Sequence, residues 1–436
     1  MTVSHFQYDT QPPCRAYYIR NAFSCSGRVQ TRRVYPVTMD HHLPSKTGTS
    51  FFRTCFNGVN ALSGFGILSI PYALWEGGWV SLTLLFVLAA VCFYTALLLQ
   101  KCMDSNSLVR TYPDIGELAF GMKGRMLIAL FMYLELFFVA IQFLIIEGDN
   151  LEKLFPNASF HIAGLNIGGK QGFVVLSALL ILPTTWLRNL GVLAYVSVGG
   201  VLASLILVFS VIWVGAIDGV GFHERGVVMN WSGMPTALSL FAFCYSGHTV
   251  YPTIYSSMAD KTKFSRVLLI CFAIATINYV LMAILGYLMF GQAAKSQVTL
   301  NLPVVKISAK IAIYTTLINP LAKYALIVMP IVNAIEDRLQ VSKNRAIGIL
   351  IRTVLVITTA IVALSVPFFG YIVALTGSFL SSNDTMILPC LCYLKIFKRS
   401  RRWGLELVMI LAVVVMGAFL AVVGTYVSMK QIIASL

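Results

Sequence analysis

The stretch Asn60-Ala61-Leu62-Ser63-Gly64-Phe65-Gly66-Ile67-Leu68-Ser69-Ile70-Pro71-Tyr72 is apolar enough to cross a membrane, yet glycine and proline interrupt it. A second stretch, Cys244-Tyr245-Ser246-Gly247-His248-Thr249-Val250-Tyr251-Pro252, repeats the interruption. Gly66 precedes Pro71 by five positions, and Gly247 precedes Pro252 by the same five. An acid follows each, at Glu76 and Asp260. Glycine tolerates an unwound backbone, while proline lacks an N–H and disrupts the turn before it. Unwinding frees N–H and C=O groups, which hydrocarbon forbids unless they line a protein cavity. A freed helix N-terminus suits a carboxylate, and a freed C-terminal end suits an ammonium. Matched interruptions in two five-span halves therefore point to a transporter site shaped for a zwitterionic amino acid.

The rest of the chain agrees with a membrane reading. Its 436 residues are 58% hydrophobic and only 11% charged, under half the roughly 25% charged share of soluble proteins. Mean hydropathy is +0.80. This excludes a soluble enzyme, a nucleic-acid-binding domain and a secreted disulfide scaffold. The net charge of +15 reflects Lys and Arg gathered in cytoplasmic loops rather than a nucleic-acid partner. At about 20 apolar residues per span, the chain is an all-α polytopic membrane protein with about eleven transmembrane helices. They fall near 51–75, 79–100, 126–147, 172–187, 191–215, 235–258, 266–290, 308–334, 346–366, 369–394 and 405–429.

Basic residues set the direction. With the N-terminus in the cytosol, 24 of the 32 Lys and Arg fall on that side. The opposite side holds Lys153, Lys170, Arg225, Lys295, Lys306, Lys310 and Lys430, and Lys323 is left within span eight. This asymmetry predicts a cytosolic N-terminus and a lumenal or extracellular C-terminus. Asn157-Ala158-Ser159 and Asn230-Trp231-Ser232 are glycosylation acceptor patterns in loops of the non-cytosolic face. Residues 1–48 read as a cytosolic disordered tail, polar and rich in Arg, before a transporter domain over 49–436. Within that domain, repeat one covers about 51–215, repeat two about 235–394 and an extra helix about 405–429. Cys14 and Cys25 lie in the tail; the other seven cysteines lie in or beside apolar segments, where they read as small packing residues.

Ionisable residues at membrane depth suggest a relay, pathway or ion pair. Glu135 lies about ten residues into span three, roughly 15 Å deep. Lys323 is at similar depth in span eight, after Asn319-Pro320, and Asp384 is mid-span in ten. The Lys323 ammonium would either replace a bound sodium ion electrostatically, favouring proton coupling, or pair structurally with Glu135 or Asp384. His248 sits in the second break, either as a group that titrates near neutral pH or as a hydrogen-bonding wall residue. No metal constellation, nucleophile elbow or nucleotide loop is visible, so the chain reads as neither an enzyme nor an energised pump, and no cofactor is implied.

At these residues the chain resembles the amino acid/auxin permease family, closest to the plant and fungal vacuolar amino acid transporters. The resemblance is carried by Cys55 through Ala73 with Glu76-Gly77-Gly78-Trp79, and by Tyr112-Pro113-Asp114-Ile115-Gly116. It continues in Glu147-Gly148-Asp149-Asn150-Leu151, Asn319-Pro320 with Lys323-Tyr324-Ala325-Leu326, and Leu388-Pro389-Cys390, covering roughly residues 48–436. It implies a leucine-transporter-like fold: a 5+5 inverted repeat plus one helix. It also implies proton-driven amino acid transport, often across the vacuolar membrane, with substrate held at the two breaks. That role passes to Ser63, Gly64, Phe65, Gly66, Ser246, Gly247 and His248. Ser381-Ser382-Asn383-Asp384 is more polar than the family leads one to expect.

The expectation is therefore a secondary transporter of neutral amino acids with protons, lipid and a small-molecule substrate as its partners and no nucleic acid. A plasma-membrane symporter of amino acids or of an auxin-like carboxylate is the alternative within transport. A transporter-like amino acid sensor is the alternative outside it.

Overall fold

The computed structural model describes residues 48–162, 165–186, 193–341, 344–401 and 404–435. The tail with Cys14 and Cys25, Arg188 and the first two residues of span five lie outside the described residues.

Helix α1 (Phe51–Leu62) starts where Ser50 caps the amide of Arg53 and ends at Ser63. A 3-10 turn (Phe65–Ser69) follows, and α2 (Ile70–Gly77) completes the first crossing. α3 (Val80–Asp104), the short α4 (Tyr112–Phe120) and α5 (Met122–Leu154) come next. The loop after α5 holds a small antiparallel hairpin of β1 (Phe160–Ile162) and β2 (Leu165–Ile167), with Phe160 opposite Ile167. α6 (Gly169–Thr185) and α7 (Leu193–Ala216) come after it.

Another divided crossing follows, α8 (Met234–Cys244) and α9 (Tyr251–Ser257). α10 (Phe264–Phe290), α11 (Ile307–Arg338) and α12 (Arg345–Ser365) follow. Helix ten runs as α13 (Phe369–Leu375), two π-helical stretches (Thr376–Ser381 and Asn383–Ile387) and α14 (Leu388–Ile396). The last crossing is α15 (Leu405–Phe419), a π turn (Leu420–Gly424) and α16 (Thr425–Ser435).

Among the described residues, seven helices are long and apolar enough to cross a membrane, and two shorter apolar helices, Gly169–Thr185 and Met234–Cys244, accompany them. The protein is a multi-pass membrane protein. Large apolar side chains such as Leu179, Phe209, Leu281, Val354 and Val422 stay exposed along these helices, as a lipid-facing surface requires. The two divided crossings sit at the centre. α1 packs on α7 and α10, while α2 lies between α8 and α10. Their ends are tied on both faces. At one end Thr49 pairs with the chain after α9, its N–H bonding the carbonyl of Ser257 at 2.8 Å. At the other, the N–H of Val80 bonds the carbonyl of Val228 at 2.9 Å. The seven cysteines among the described residues are buried free thiols.

Candidate substrate site

Both crossings break where the glycines place the unwinding and resume where the prolines allow it. Pro71 is the second residue of α2 and Pro252 the second of α9, positions whose amide has no intrahelical partner to lose. At break one the chain turns at Ser63 and is extended at Gly64. The amides of Phe65 and Gly66 then open the 3-10 turn and have no acceptor within it. At break six the helix ends at Cys244, and the chain turns again only when the amides of Val250 and Tyr251 reach the carbonyl of Gly247.

The carbonyls freed at break one are spoken for. The hydroxyl of Ser204 on α7 donates to Ser63 O at 3.0 Å. The phenol of Tyr279 on α10 meets Leu62 O and, at 2.9 Å, Cys244 O. One side chain therefore joins the last carbonyls of α1 and α8, the two helix ends at the breaks. Gly66 brings the breaks together: a Cβ there would stand 2.9 Å from Cys244 Sγ and 3.3 Å from the ring of Phe243. Gly64 has nothing within 4 Å of a would-be Cβ, so its surroundings are open, not tight.

That opening is a cavity lined by Gly64, Phe65, Ile67 and Leu68, by Ala203, Ser204 and Leu207 of α7, and by Thr315, Thr316 and Asn319 of α11. It has about 20 Å³ open to the centre of a water molecule, room for a water but not for an amino acid. The ring of Phe65 closes one wall against Phe143, Phe243 and Phe369, with ring centres 5.0, 5.3 and 6.1 Å away. Among the described residues, Ser63 Oγ is buried without a hydrogen-bond partner, as are His248 Nδ1 and Tyr251 Oη. Unpaired buried polar atoms are uncommon in native proteins; these three lie at the two breaks, while others, such as Asn150 Oδ1 and Ser428 Oγ, lie elsewhere.

Of the residues expected to hold substrate, Gly64 and Phe65 line the cavity, and Gly66 sits against break six. Ser246, Gly247 and His248 do not line it. His248 turns onto α3, its Nε2 2.9 Å from Thr95 Oγ1 and 3.1 Å from Cys92 O. That is the wall-residue arrangement. Ser246 instead donates to Glu135 Oε1 at 2.6 Å, and Ser381 donates to the same oxygen at 2.7 Å.

The expected ion pairs differ from what forms. Lys323 meets neither Glu135 nor Asp384; its Nζ donates to Asn60 Oδ1 at 2.7 Å. Gly200 of α7 makes room, since a Cβ there would stand 2.0 Å from Asn60 Oδ1 and 2.9 Å from Lys323 Nζ. The acids after the breaks also part company. Glu76 is buried and accepts from Tyr72 at 2.5 Å. Asp260 is an exposed cap at the membrane surface; the hydroxyl of Thr262 and then the ammonium of Lys263 hold its carboxyl below the usual range. Asn157 is exposed, whereas Asn230 is half-buried with its amide oxygen held by Ser232 at 2.7 Å.

The family described as transmembrane amino acid transporter protein matches residues 47–430. The chain belongs to that family. Among curated relatives it is 53% identical over 389 residues to "Amino acid transporter AVT1I" of Arabidopsis thaliana, covering 89% of this chain and 96% of that protein. It is 50% identical over 387 residues to "Amino acid transporter AVT1J" of the same plant, covering 88% and 92%. A more distant relative is the "Vesicular GABA transporter" of Caenorhabditis elegans, 23% identical over 416 residues, 91% of this chain and 83% of that one. In this transmembrane amino acid transporter family member, Ser204, Thr316 and Asn319 line the cavity beside break one, and Tyr279 joins the two helix ends. Asn319 was already marked by the Asn319-Pro320 pair in the sequence, while Ser204, Tyr279 and Thr316 stood out only as polar residues in apolar helices.

Proposed function

We propose that this protein is a secondary active transporter of neutral amino acids, coupled to protons and working by alternating access around breaks one and six. The reading adopts eleven crossings in a leucine-transporter-like 5+5 inverted repeat plus one helix, set in the vacuolar membrane with the N-terminus cytosolic and the C-terminus lumenal. The observation that carries it is the pair of matched breaks, with unpaired amides opening the turn at Phe65 and Gly66 beside the unpaired hydroxyl of Ser63. A substrate carboxylate would meet those amides, where the partial positive end of a helix favours it. Its ammonium would face break six, where Glu135 supplies negative charge through Ser246. The cavity is apolar on the Ile67, Leu68 and Leu207 side, which suits an uncharged side chain. Admitting an amino acid requires Phe65 to leave its aromatic cluster and the bundle of the first and sixth crossings to move.

The test is uptake of a labelled amino-acid mixture by purified protein in liposomes, with and without an imposed pH gradient. Accumulation that follows the gradient is expected. The Gly66→Val and Gly247→Val variants, checked for folded, monodisperse protein, should lose uptake by about two orders of magnitude, the scale of a misplacement at a positioning site. Retained transport in both would sink the broken-helix site.

A further inference from the structure

Beyond the cavity, break six and helix ten converge on two acids. Glu135 is 5% exposed and Asp384 is wholly buried. One oxygen of Glu135 accepts from Ser246 in the break and from Ser381 in the first π stretch of helix ten. Through this oxygen a single carboxyl group links break six to helix ten. Asp384 follows three residues after Ser381, in the second π stretch. Neither of its carboxyl oxygens has a hydrogen-bond partner among the described residues.

The groups around Asp384 supply no counter-charge. Glu135 on α5 and Tyr112 on α4 are its electrostatic neighbours, and the Tyr112 hydroxyl donates to the main-chain oxygen of Asp384 at 2.8 Å, not to the carboxyl. On α3, Cys92 reaches Thr385. On α14, Cys390 and Cys392 are buried thiols, and Lys395 lies over the ring of Phe120. Glu406 of α15 is engaged by Tyr393 and Lys101. Lys323 is turned to Asn60. A bare carboxylate enclosed without donor or cation is strongly unfavourable, and a second carboxylate beside it makes it more so. Of the two acids, Glu135 has two serine donors and Asp384 has none among the described residues.

We infer that Asp384 binds the coupled proton, as a neutral carboxylic acid while Glu135 holds Ser246 and Ser381, and that losing this proton releases helix ten from break six. The assignment rests on the proton-coupled reading above and names the group that carries it. The step makes or breaks one O–H bond, exchanging the proton with water on whichever side is open. With the proton gone, two negative charges face each other within the bundle. Ser381 is then pushed from Glu135, and Ser246 loses the partner that fixed it. Proton and amino acid thus act on one shared element, which is what reciprocal coupling between two sites requires.

The experiment compares the wild type with Asp384→Asn and Asp384→Glu in liposomes, reading gradient-driven accumulation and, separately, equilibrium exchange of labelled for unlabelled amino acid. Asp384→Asn should lower gradient-driven accumulation on the order of tenfold or more, while exchange persists because the neutral form is preserved; Asp384→Glu should recover part of the accumulation. Infrared difference spectra should show the carbonyl stretch of a protonated carboxylic acid in the wild type that Asp384→Asn lacks. Full gradient-driven accumulation in Asp384→Asn, or no such band in the wild type, overturns the assignment. Wild-type transport indifferent to the gradient, with the band present, overturns instead the coupling reading and with it the role of this proton.

Discussion

At break one, the freed carbonyls of Leu62 and Ser63 are met by neutral hydroxyls, Tyr279 and Ser204, and the nearby charge of Lys323 is spent on the amide of Asn60. At break six, the side chain of Ser246 is held by the carboxylate of Glu135, and His248 braces against α3. The two interruptions match in the spacing of glycine and proline but not in what surrounds them. Break one offers open amides beside an apolar cavity; break six offers negative charge. The charged groups nearest the two breaks, Lys323 and Glu135, come from helices other than the broken ones.

The largest expected effect is at the cation near break one. Asn60→Leu removes the acceptor of the Lys323 ammonium and should cost about 2–3 kcal/mol, the value of a hydrogen bond to a charged group. The fall in melting temperature of detergent-purified protein would report it. Adding Lys323→Met should restore much of the loss, because an unpaired, partly buried charge is worse than none. If Asn60→Leu melts like the wild type, this pair does not hold break one, and the contrast fails at its stronger end.

Next in size is Tyr279→Phe, which leaves Leu62 O and Cys244 O without their shared donor. A loss of about 1–2 kcal/mol is expected, again by thermal denaturation, together with slower exchange. An unchanged melting point would mean that the two breaks are joined by packing at Gly66 alone.

The smallest effect lies at the outer support of the break-six side. α4, whose Tyr112 holds the main chain at Asp384, is capped by Thr111 and Asp114. Burial alone would push the Asp114 carboxyl up, but the Thr111 hydroxyl, the amides of Thr111 and Arg110, and the Arg125 guanidinium at 2.8 Å together hold it below the usual range. A depressed carboxyl contributes stability above its unfolded value and loses it as pH falls through the folded one. Asp114→Asn should therefore cost about 1 kcal/mol at neutral pH. At pH values below the folded value the variant and wild type should melt alike. A pH-independent difference would assign the effect to packing.

How much of this was written in the sequence depends on the distance over which each signal acts. Gly66, Pro71, Gly247 and Pro252 marked both breaks because glycine and proline act on their own backbone. The depth of Glu135 and Asp384 was legible from helix length. Partners were not. Lys323 and Asn60 were both visible as polar residues in apolar runs, but nothing local joins positions 263 residues apart. Tyr279 looked like one more aromatic in α10, and its hydroxyl gains meaning only where two broken ends meet it. The buried pair of Glu336 and Arg352, at 2.5 Å between α11 and α12, was equally hidden. His248 drew attention as the sole histidine within a span, and its wall role followed only from the packing of α3.

The two π stretches of helix ten have a consequence for how such a helix is inherited. A π turn holds an extra residue relative to the α-helix, and one residue corresponds to about 100° of rotation. Side chains before Thr376 and after Ile387 are therefore written in different angular frames. Gain or loss of a single codon between them would turn every later side chain of the helix without altering any of their identities. Comparing relatives column by column is thus safe on either side of this stretch, while within it a one-residue gap decides which residue stands where Asp384 stands here.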